Sequence, residues 1–280
     1  MNRIVQKEWL TPEIVRLRVE APRIAKRWKA GQFVIIRPTK EGERIPLTIV
    51  EGSQNDGTIT LVVQVVGKTT AVTANLKAGE FLEDLLGPLG EPATVKLFGT
   101  VLCVGGGVGV AEVLPVARAL QSAGNRVIAL CGARSGGKMI LDAELQEAAD
   151  ELLWATDDGS SGFHGNVAEL MRFWKWDRSA HVDAVFSIGP IPMMKAVAVL
   201  TRVWEVQCFA SLNPIMVDGT GMCGGCRVSV GGKVRFACVE GPEFDAHQVD
   251  FDELAIRNRA YFEQEKMVAE RHECMIGLGR

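Results

Sequence analysis

Residues 101–111 read Val-Leu-Cys-Val-Gly-Gly-Gly-Val-Gly-Val-Ala, which is an apolar run, a glycine-rich turn and the start of an amphipathic segment. A strand that turns through glycines into a helix is a unit of a parallel sheet, and the N-terminus of that helix can receive a pyrophosphate. Val110 replaces the third glycine of the dinucleotide fingerprint, and no acidic residue closes the second strand. The stretch therefore predicts a dinucleotide site or, alternatively, a tight turn without a ligand.

The same alternation of strands and helices extends over residues 99–212. Apolar strands are predicted at 101–104, 127–131, 152–155 and 184–188. Helices are predicted at 110–122, 142–149, 166–173 and 192–204. Such alternation is typical of βαβ units around a parallel sheet.

Two further loops follow strands of this predicted sheet. One is Gly189-Pro190-Ile191-Pro192-Met193-Met194, and the other is Thr156-Asp157-Asp158-Gly159-Ser160. The carboxyl ends of parallel strands meet at one edge, where such sheets bind ligands. A helix cap and an acidic surface turn are the alternatives for the two loops. Arg134, at the end of the second strand, favours NADP by the ordinary rule for that position.

The composition is that of a globular protein. The chain has 280 residues, of which 47% are hydrophobic and 23% charged, and its net charge is −3. These values exclude a disordered chain, a fibre and a coiled coil, and the length suggests about two domains. The near-neutral charge argues against a nucleic-acid partner, and no apolar run reaches the roughly 20 residues that cross a bilayer. The N-terminus has no apolar signal core, so we expect a cytoplasmic protein with no membrane partner.

Residues 1–98 have the sequence pattern of an all-β domain. Short apolar runs at 14–19, 33–36 and 59–66 are separated by turns such as Asn55-Asp56-Gly57. Strands at this spacing predict a barrel or a sandwich.

Two stretches of this β domain carry groups that bind phosphate or flavin. Residues 44–48, Arg-Ile-Pro-Leu-Thr, offer a guanidinium for a phosphate and a hydroxyl for a flavin edge. The strand end Gln64-Val65-Val66 leads into Gly67-Lys68-Thr69-Thr70, whose N–H and hydroxyl groups are of the kind that hold phosphate. An exposed arginine beside an edge strand and an ordinary turn are the alternative interpretations.

The cysteine-rich stretch is the most specific signal. Asp218 is followed by Cys223, Cys226 and, further on, Cys238, with glycines between them. Plant-type 2Fe–2S loops have the spacing C-x₄-C-x₂-C with a distant fourth cysteine. Here the same spacing occurs with a carboxylate in the first ligand position. A 2Fe–2S cluster held by these four residues is therefore predicted, while a tetrahedral zinc site or free thiols stay open as alternatives.

The other cysteines have simpler interpretations. Cys103, Cys131 and Cys208 lie in apolar strands and are expected to be small buried residues. Cys274 lies in the polar, helical-looking stretch 251–280, where it is interpreted as an incidental thiol. This C-terminal tail predicts a helix that docks on another subunit or, alternatively, a solvated terminus.

Taken together, these motifs resemble a known family. A flavin barrel, a nicotinamide domain and a 2Fe–2S loop, in this order, are similar to the electron-transfer subunits related to ferredoxin–NADP reductase. Residues 44–48 resemble the family's R-x-P-x-[ST] flavin motif, and residues 105–109 and 189–194 resemble its nicotinamide motifs. The resemblance implies an FAD-binding β-barrel (1–98), an NAD(P)-binding α/β domain (99–212), a 2Fe–2S segment (213–248) and a C-terminal docking tail (249–280).

The resemblance also implies which residues contact each cofactor. For FAD these are Arg44, Pro46, Leu47, Thr48, Gln64, Val65, Val66, Gly67, Lys68, Thr69 and Thr70. For the nicotinamide nucleotide they are Gly105, Gly106, Gly107, Val108, Gly109, Arg134, Asp157, Asp158, Gly189, Pro190 and Met193. NAD(H) is the expected nucleotide, with NADP(H) as the alternative, and no acid–base catalyst is expected.

Two groups within the family compete. The electron-transfer subunit of NAD-dependent dihydroorotate dehydrogenase uses four cysteines, whereas Asp218 resembles the small subunit of NADH-dependent ferredoxin:NADP oxidoreductase, also described as the sulfide dehydrogenase small subunit. We favour the second group. It implies an oxidoreductase subunit that relays electrons between NAD(H), FAD and the cluster, in a heterodimer with a larger flavin and iron–sulfur subunit. A zinc-stapled binding module without redox chemistry is the alternative from a different class.

Overall fold

The structure is a computed structural model that describes residues 2–275, with side chains described up to residue 268. The first seven strands form one antiparallel, near-closed barrel in the order β6-β1-β2-β5-β4-β3-β7. The elements are β1 (Asn2–Thr11), β2 (Ile14–Glu20), α1 (Pro22–Ala25), β3 (Phe33–Arg37), β4 (Ile45–Ser53), β5 (Thr58–Gln64), α2 (Lys68–Asn75), β6 (Phe81–Leu82) and β7 (Asp84–Leu89).

Alternating side chains fill the barrel. Val15, Leu17 and Val19 of β2 point inward with Val34 and Ile36 of β3, and all five are fully buried. This period of two is what a strand with one buried face requires. The barrel predicted from the short apolar runs is therefore confirmed.

The second sheet is built from strands that alternate with helices. Its elements are β8 (Thr100–Gly106), α3 (Val110–Ser122), β9 (Arg126–Ala133), α4 (Asp142–Ala148), β10 (Glu151–Thr156), β11 (Phe163–His164), α5 (Val167–Asp177), β12 (Ala184–Ile188), α6 (Ile191–Val203) and β13 (Gln207–Ser211). These six strands pair in parallel. Helices cover both faces, so the middle of β8 is completely buried, including Cys103. Burial raises the pKa of the Cys103 thiol to about 12, and the expectation of a small buried residue is confirmed.

The order of the strands places a crevice at β8. The sheet runs β11-β10-β9-β8-β12-β13, so the chain leaves β8 in one direction and later returns to its other side at β12. Ligands of such sheets bind at this reversal, outside the carboxyl ends of the strands. Gly106, the last residue of β8, and Gly189, which follows β12, therefore lie at the same edge.

The cysteine-rich segment returns to the second sheet. It contains β14 (Arg227–Val230), β15 (Lys233–Phe236), α7 (Ala237–Glu240) and β16 (Glu243–Asp245), and β16 pairs antiparallel with β13 as the seventh strand. The Leu212 N–H donates to the Pro242 carbonyl at 2.9 Å, which joins the two ends of the segment. The Glu91 N–H donates to the Gly241 carbonyl at 2.6 Å, which ties the segment to the barrel domain.

The C-terminal stretch forms two helices, α8 (Phe251–Asn258) and α9 (Phe262–Met275). Phe251 and Leu254 of α8 are buried in the core of the second sheet, so this half of the predicted docking tail packs within its own chain. Helix α9 lies near α2, and its residues Phe262 and Met267 are exposed. Residues 276–280 and the side chain of Cys274 lie outside the described part. No described helix is long and apolar enough to span a membrane.

Asn125 connects the linker between the two domains to α3. Its side-chain oxygen accepts the N–H groups of Phe98 and Gly99 at 2.6 and 3.1 Å, and its amide nitrogen donates to the carbonyls of Lys96 and Leu120, both at 2.8 Å. The side chain is buried, so no water can replace these four bonds.

We predict that Asn125→Ala lowers the free energy of unfolding by roughly 2–3 kcal/mol, because several buried donors and acceptors lose their partner. Chemical denaturation of the full chain measures this loss. Ser122→Ala, at the exposed C-terminal end of α3, serves as the control and should change the free energy of unfolding by less than about 0.5 kcal/mol. Equal effects of the two substitutions would contradict this role of Asn125.

Candidate functional site

A cleft of about 670 Å³ opens at the strand-order reversal, between the barrel and the second sheet. The barrel contributes Thr11, Glu13, Ile14 and Gln64, and the second sheet contributes the turns after its strands. The structure brings many of the predicted nucleotide residues together in this cleft. They are Gly106, Gly107, Val108, Gly109, Arg134, Asp157, Gly189, Pro190 and Met193.

The glycine turn is shaped for close approach. A Cβ atom on Gly109 would lie 2.6 Å from the carbonyl oxygen of Ile188, so only glycine lets the turn touch the end of β12. Gly107 has a φ of +58° and open space where a Cβ would point. No side chain caps the N-terminus of α3. The Val110 N–H that begins α3 donates to the carbonyls of Gly107 and Val108, so the backbone of the glycine turn, with the helix dipole behind it, is the part that suits a pyrophosphate.

A second cavity of about 230 Å³ adjoins the cleft and enters the barrel. Seven predicted residues line it, namely Pro46, Leu47, Thr48, Gln64, Val66, Thr70 and Val108. Five residues line both spaces, namely Gln64, Val108, Glu112, Ser211 and Asn213. The two spaces are thus neighbours with a common wall, which we call the shared wall. Because the two spaces adjoin at these residues, a flavin ring in the second cavity would lie next to a nicotinamide ring in the cleft.

Other predicted residues lie outside both spaces. They are Arg44, Val65, Gly67, Lys68, Thr69, Gly105 and Asp158. The Arg44 guanidinium lies 3.5 Å from the carboxylate of Asp84 at the surface. The Thr70 hydroxyl accepts the N–H groups of Val66 and Gly67, both at 3.0 Å, so these two donors already have a partner. Gly105 serves packing, because a Cβ there would lie 2.8 Å from Val113.

Glu112 is the residue that sequence reasoning missed. It lies in the first turn of α3 and is the one charged residue among the described residues that line the second cavity. Burial raises the pKa of Glu112 to about 7, and the nearby Thr48 hydroxyl opposes that rise. A signal was present in the sequence, since a carboxylate in Val110-Ala111-Glu112-Val113-Leu114 interrupts an apolar run beside the glycine turn.

In the cysteine-rich loop the structure brings two of the four predicted ligands together. Cys226 and Cys238 are buried, and their sulfur atoms are 3.1 Å apart. Cys223 is exposed, and its sulfur accepts the N–H of Gly225 at 3.4 Å. Asp218 accepts the N–H of Cys223 at 2.7 Å, as well as the N–H and hydroxyl of Thr220. No group of three potential ligands is close enough to hold a metal ion within residues 2–275 in this conformation.

The donor set nevertheless suits a cluster. Two thiols and a carboxylate of the loop, together with the Cys238 thiol at the start of α7, provide four anionic ligands, and the positive φ angles of Gly219, Gly221 and Gly224 let the loop fold tightly. Hydrogen bonds, chiefly from the Thr220 N–H, lower the pKa of Asp218 to about 2. Burial, with the neighbouring Cys226, raises the pKa of Cys238 to about 12, so this thiol is neutral until a metal displaces its proton.

Comparison with known proteins agrees with this arrangement. Residues 213–250 match the iron–sulfur cluster binding domain of dihydroorotate dehydrogenase B. A chain from a structure of NADH-dependent reduced ferredoxin-NADP oxidoreductase is 44% identical, with a TM-score of 0.92 over 97% of this chain and 98% of that one. A ferredoxin NADP+ reductase from Neisseria gonorrhoeae shares the fold at 17% identity, with a TM-score of 0.57 over 74% of this chain and 91% of that one. Barrel, sheet and loop define a ferredoxin–NADP reductase-like protein with an iron–sulfur segment.

Curated relatives narrow the class. The dihydroorotate dehydrogenase B (NAD(+)) electron transfer subunit homolog of Thermotoga maritima is 45% identical over 97% of this chain and 95% of its own length. The electron transfer subunit of Desulforamulus reducens is 32% identical over 86% of this chain and 94% of its own length. The chain belongs to the family of dihydroorotate dehydrogenase B electron-transfer subunits and their homologues. The predicted family is confirmed, and so is its chemistry of electron transport with flavin, nicotinamide and iron–sulfur cofactors.

We predict that Glu112→Gln makes the protein more stable than the wild type above pH 7 but not near pH 4.5. The folded-state pKa lies above the unfolded value, so the stability of the wild type falls as pH rises from about 4.5 to about 7 and stays low beyond. The free energy of unfolding of Glu112→Gln, relative to that of the wild type, should therefore grow by at most about 3 kcal/mol over this range. Denaturation at several pH values measures it.

Glu51→Gln is the control, because Glu51 of β4 forms an exposed ion pair with Arg118 of α3, the helix that carries Glu112. Its stability relative to the wild type should change little between pH 5 and 8. If the free energy of unfolding of Glu112→Gln changes with pH in parallel with that of the wild type, the raised pKa is contradicted.

Proposed function

We propose that this chain relays electrons between NAD(H), FAD and a 2Fe–2S cluster, as one subunit of a complex with a larger flavin and iron–sulfur subunit. The observation that carries this proposal is the path of residues 211–218. Ser211 and Asn213 lie in the shared wall, Met216 lines the second cavity, and Asp218 begins the cluster loop. One short segment therefore connects all three candidate cofactor sites.

In this proposal the second cavity holds the flavin. Thr48 lines it and offers a hydroxyl, and apolar residues such as Phe33 and Val62 exclude water from the ring. The other barrel residues that we predict for FAD, Arg44, Val65, Gly67, Lys68 and Thr69, remain proposals for its phosphate and adenine parts. When bound, FAD supplies the exchange between a two-electron hydride and single electrons.

The nucleotide lies in the larger cleft in this proposal. The backbone of the glycine turn before α3 receives its pyrophosphate, and Gly189 and Pro190 form the opposite wall. Lys138 contacts Glu13 at 2.9 Å and Arg134 lies nearby, so the cleft combines both signs of charge. We propose NAD(H) as the physiological nucleotide, supported by the 44% identical NADH-dependent relative.

The cluster site is proposed at Asp218, Cys223, Cys226 and Cys238. The loop lies against the barrel beside the second cavity, since a Cβ on Gly219 would meet Ile35 and Leu89 within 2.9 Å. Cys226 and Cys238 belong to the same apolar core as Phe33, which lines that cavity. The exposed side of the loop, with Cys223 and the 89% exposed Met222, is where a partner subunit receives or delivers electrons.

Two types of complex are candidates. The high structural similarity favours the type named for electron bifurcation and NADH-dependent ferredoxin-NADP oxidoreductase. The names of the curated relatives favour a dihydroorotate dehydrogenase partner instead. Purification of the tagged chain from its own cells, followed by identification of the bound subunit and a test for dihydroorotate oxidation, distinguishes them.

We also propose a cytoplasmic location, supported by the six described cysteines, all of which are free thiols.

We predict that the purified protein shows flavin absorption together with the broad absorption of a 2Fe–2S cluster. Cys223→Ala should lose the cluster absorption and its iron while retaining FAD. Cys131→Ala, which alters a buried cysteine of the second sheet, should retain both. A colourless protein that contains zinc would favour the binding-module alternative and contradict the relay.

A second prediction concerns the first ligand. Asp218→Cys should retain the cluster with a shifted reduction potential, because a thiolate replaces a harder carboxylate at iron. Asp218→Asn removes the negative charge but keeps only one of the two oxygens that accept from Thr220 and Cys223, so folding of the loop is checked separately by circular dichroism. If Asp218→Ala leaves both iron content and potential unchanged, Asp218 is not a ligand.

A further inference from the structure

Glu112 occupies an unusual position for a carboxylate. The other described residues that line the second cavity are apolar or neutral, and the polar ones are Thr48, Gln64, Thr70, Ser211 and Asn213. An acidic residue in the first turn of a helix ordinarily complements the helix dipole from the surface. Glu112 instead lies in the shared wall, in the same cavity as Thr48 of the barrel domain. The helix dipole alone therefore does not explain why the Glu112 carboxylate is placed in this wall.

The charged groups of the surrounding elements are already paired or distant. Arg118 of the same helix pairs with Glu51 of β4 at 3.7 Å. Lys138 pairs with Glu13, between β1 and β2, at 2.9 Å. Arg134 and Asp157 follow β9 and β10 at the same cleft, and β5 and residues 211–216 contribute only uncharged residues to the cavity. None of these groups contributes to the altered pKa of Glu112, whose causes are burial and Thr48. Its proton affinity therefore responds to whatever charge arrives inside the cavity.

We propose that Glu112 binds one proton from solvent when the flavin site is reduced, and releases it when the electrons leave. This inference rests on the proposed function, because it requires FAD in the second cavity. A hydride from the nicotinamide brings two electrons and one proton, so its arrival adds one negative charge beside the carboxylate. A like charge nearby disfavours the ionised form of an acid. The carboxylate then becomes a carboxylic acid, and the net charge of the site stays the same.

The geometry gives this proton a defined path. Glu112 lines the nucleotide cleft as well as the second cavity and is partly exposed, so its carboxylate exchanges protons with solvent through the cleft. Thr48, in the predicted flavin motif, lines the same cavity as Glu112. With a pKa of about 7 before reduction, the group is ready to change its charge at neutral pH.

The test uses the full chain loaded with FAD and NADH, with FAD content checked first by fluorescence. Proton uptake on anaerobic reduction is measured with a pH indicator in weakly buffered solution at pH 8, and the flavin potential is recorded between pH 5.5 and 8.5. The wild type and Glu51→Gln should take up close to one proton more per two electrons than Glu112→Gln. The variant should also show a weaker dependence of the potential on pH above 7.

Equal proton uptake and equal pH dependence in the wild type and Glu112→Gln would overturn the inference. If Glu112→Gln does not fold or bind FAD, the reduction-induced infrared spectrum of the wild type decides, using protein that carries ¹³C-labelled glutamate. A labelled carboxylic-acid band that appears on reduction supports the inference, and its absence overturns it. A wild-type chain without FAD would overturn the proposed function itself, which this control reveals before any variant is compared.

Discussion

The turn between β8 and α3 forms only because it lacks side chains where it meets β12. A Cβ on Gly109 would lie 2.6 Å from the Ile188 carbonyl oxygen, and a Cβ on Gly106 would lie 2.5 Å from the sulfur of Met193. The Ile188 carbonyl belongs to the backbone and cannot move aside, so glycine is required at position 109, whereas at position 106 the flexible Met193 side chain would have to shift. This contact draws the N-terminal ends of α3 and α6 to one edge of the sheet. The cleft, its glycine turn and the position of Glu112 all depend on it.

The barrel meets this edge through a common apolar core. Ile14, Val50 and Val62 of the barrel pack in the same cluster as the buried face of α3. The partly buried ion pair between Arg16 and Glu144, at 2.6 Å, crosses the same boundary. Because the two domains share a core, the wall between the two cavities has one geometry, and residues 211–216 can contribute to both. A relay of electrons benefits from this rigidity, since transfer depends on fixed distances between its centres.

Sequence patterns predicted the fold well because each pattern has a local cause. The strand–helix alternation of residues 99–212 appears with helices such as Val110–Ser122 and strands such as Ala184–Ile188 at the expected limits. The run 59–66 ends at Gln64 instead, because Thr70 accepts the N–H groups of Val66 and Gly67 and starts α2. The antiparallel strand β16 was not expected, since three residues carry too little periodicity to be recognised.

By itself the sequence determined the class of sheet, the glycine turns and the thiol spacing, because these depend on residues close together along the chain. Only the tertiary structure decided which of these groups share a cavity. It placed Thr48 beside Glu112, 64 positions later in the chain, and left Arg44 at the surface beside Asp84. It also showed that half of the supposed tail belongs to the core of the second sheet, through Phe251 and Leu254. The reason is physical, since burial and the charge around a carboxylate arise from packing between domains, and local sequence does not encode that packing.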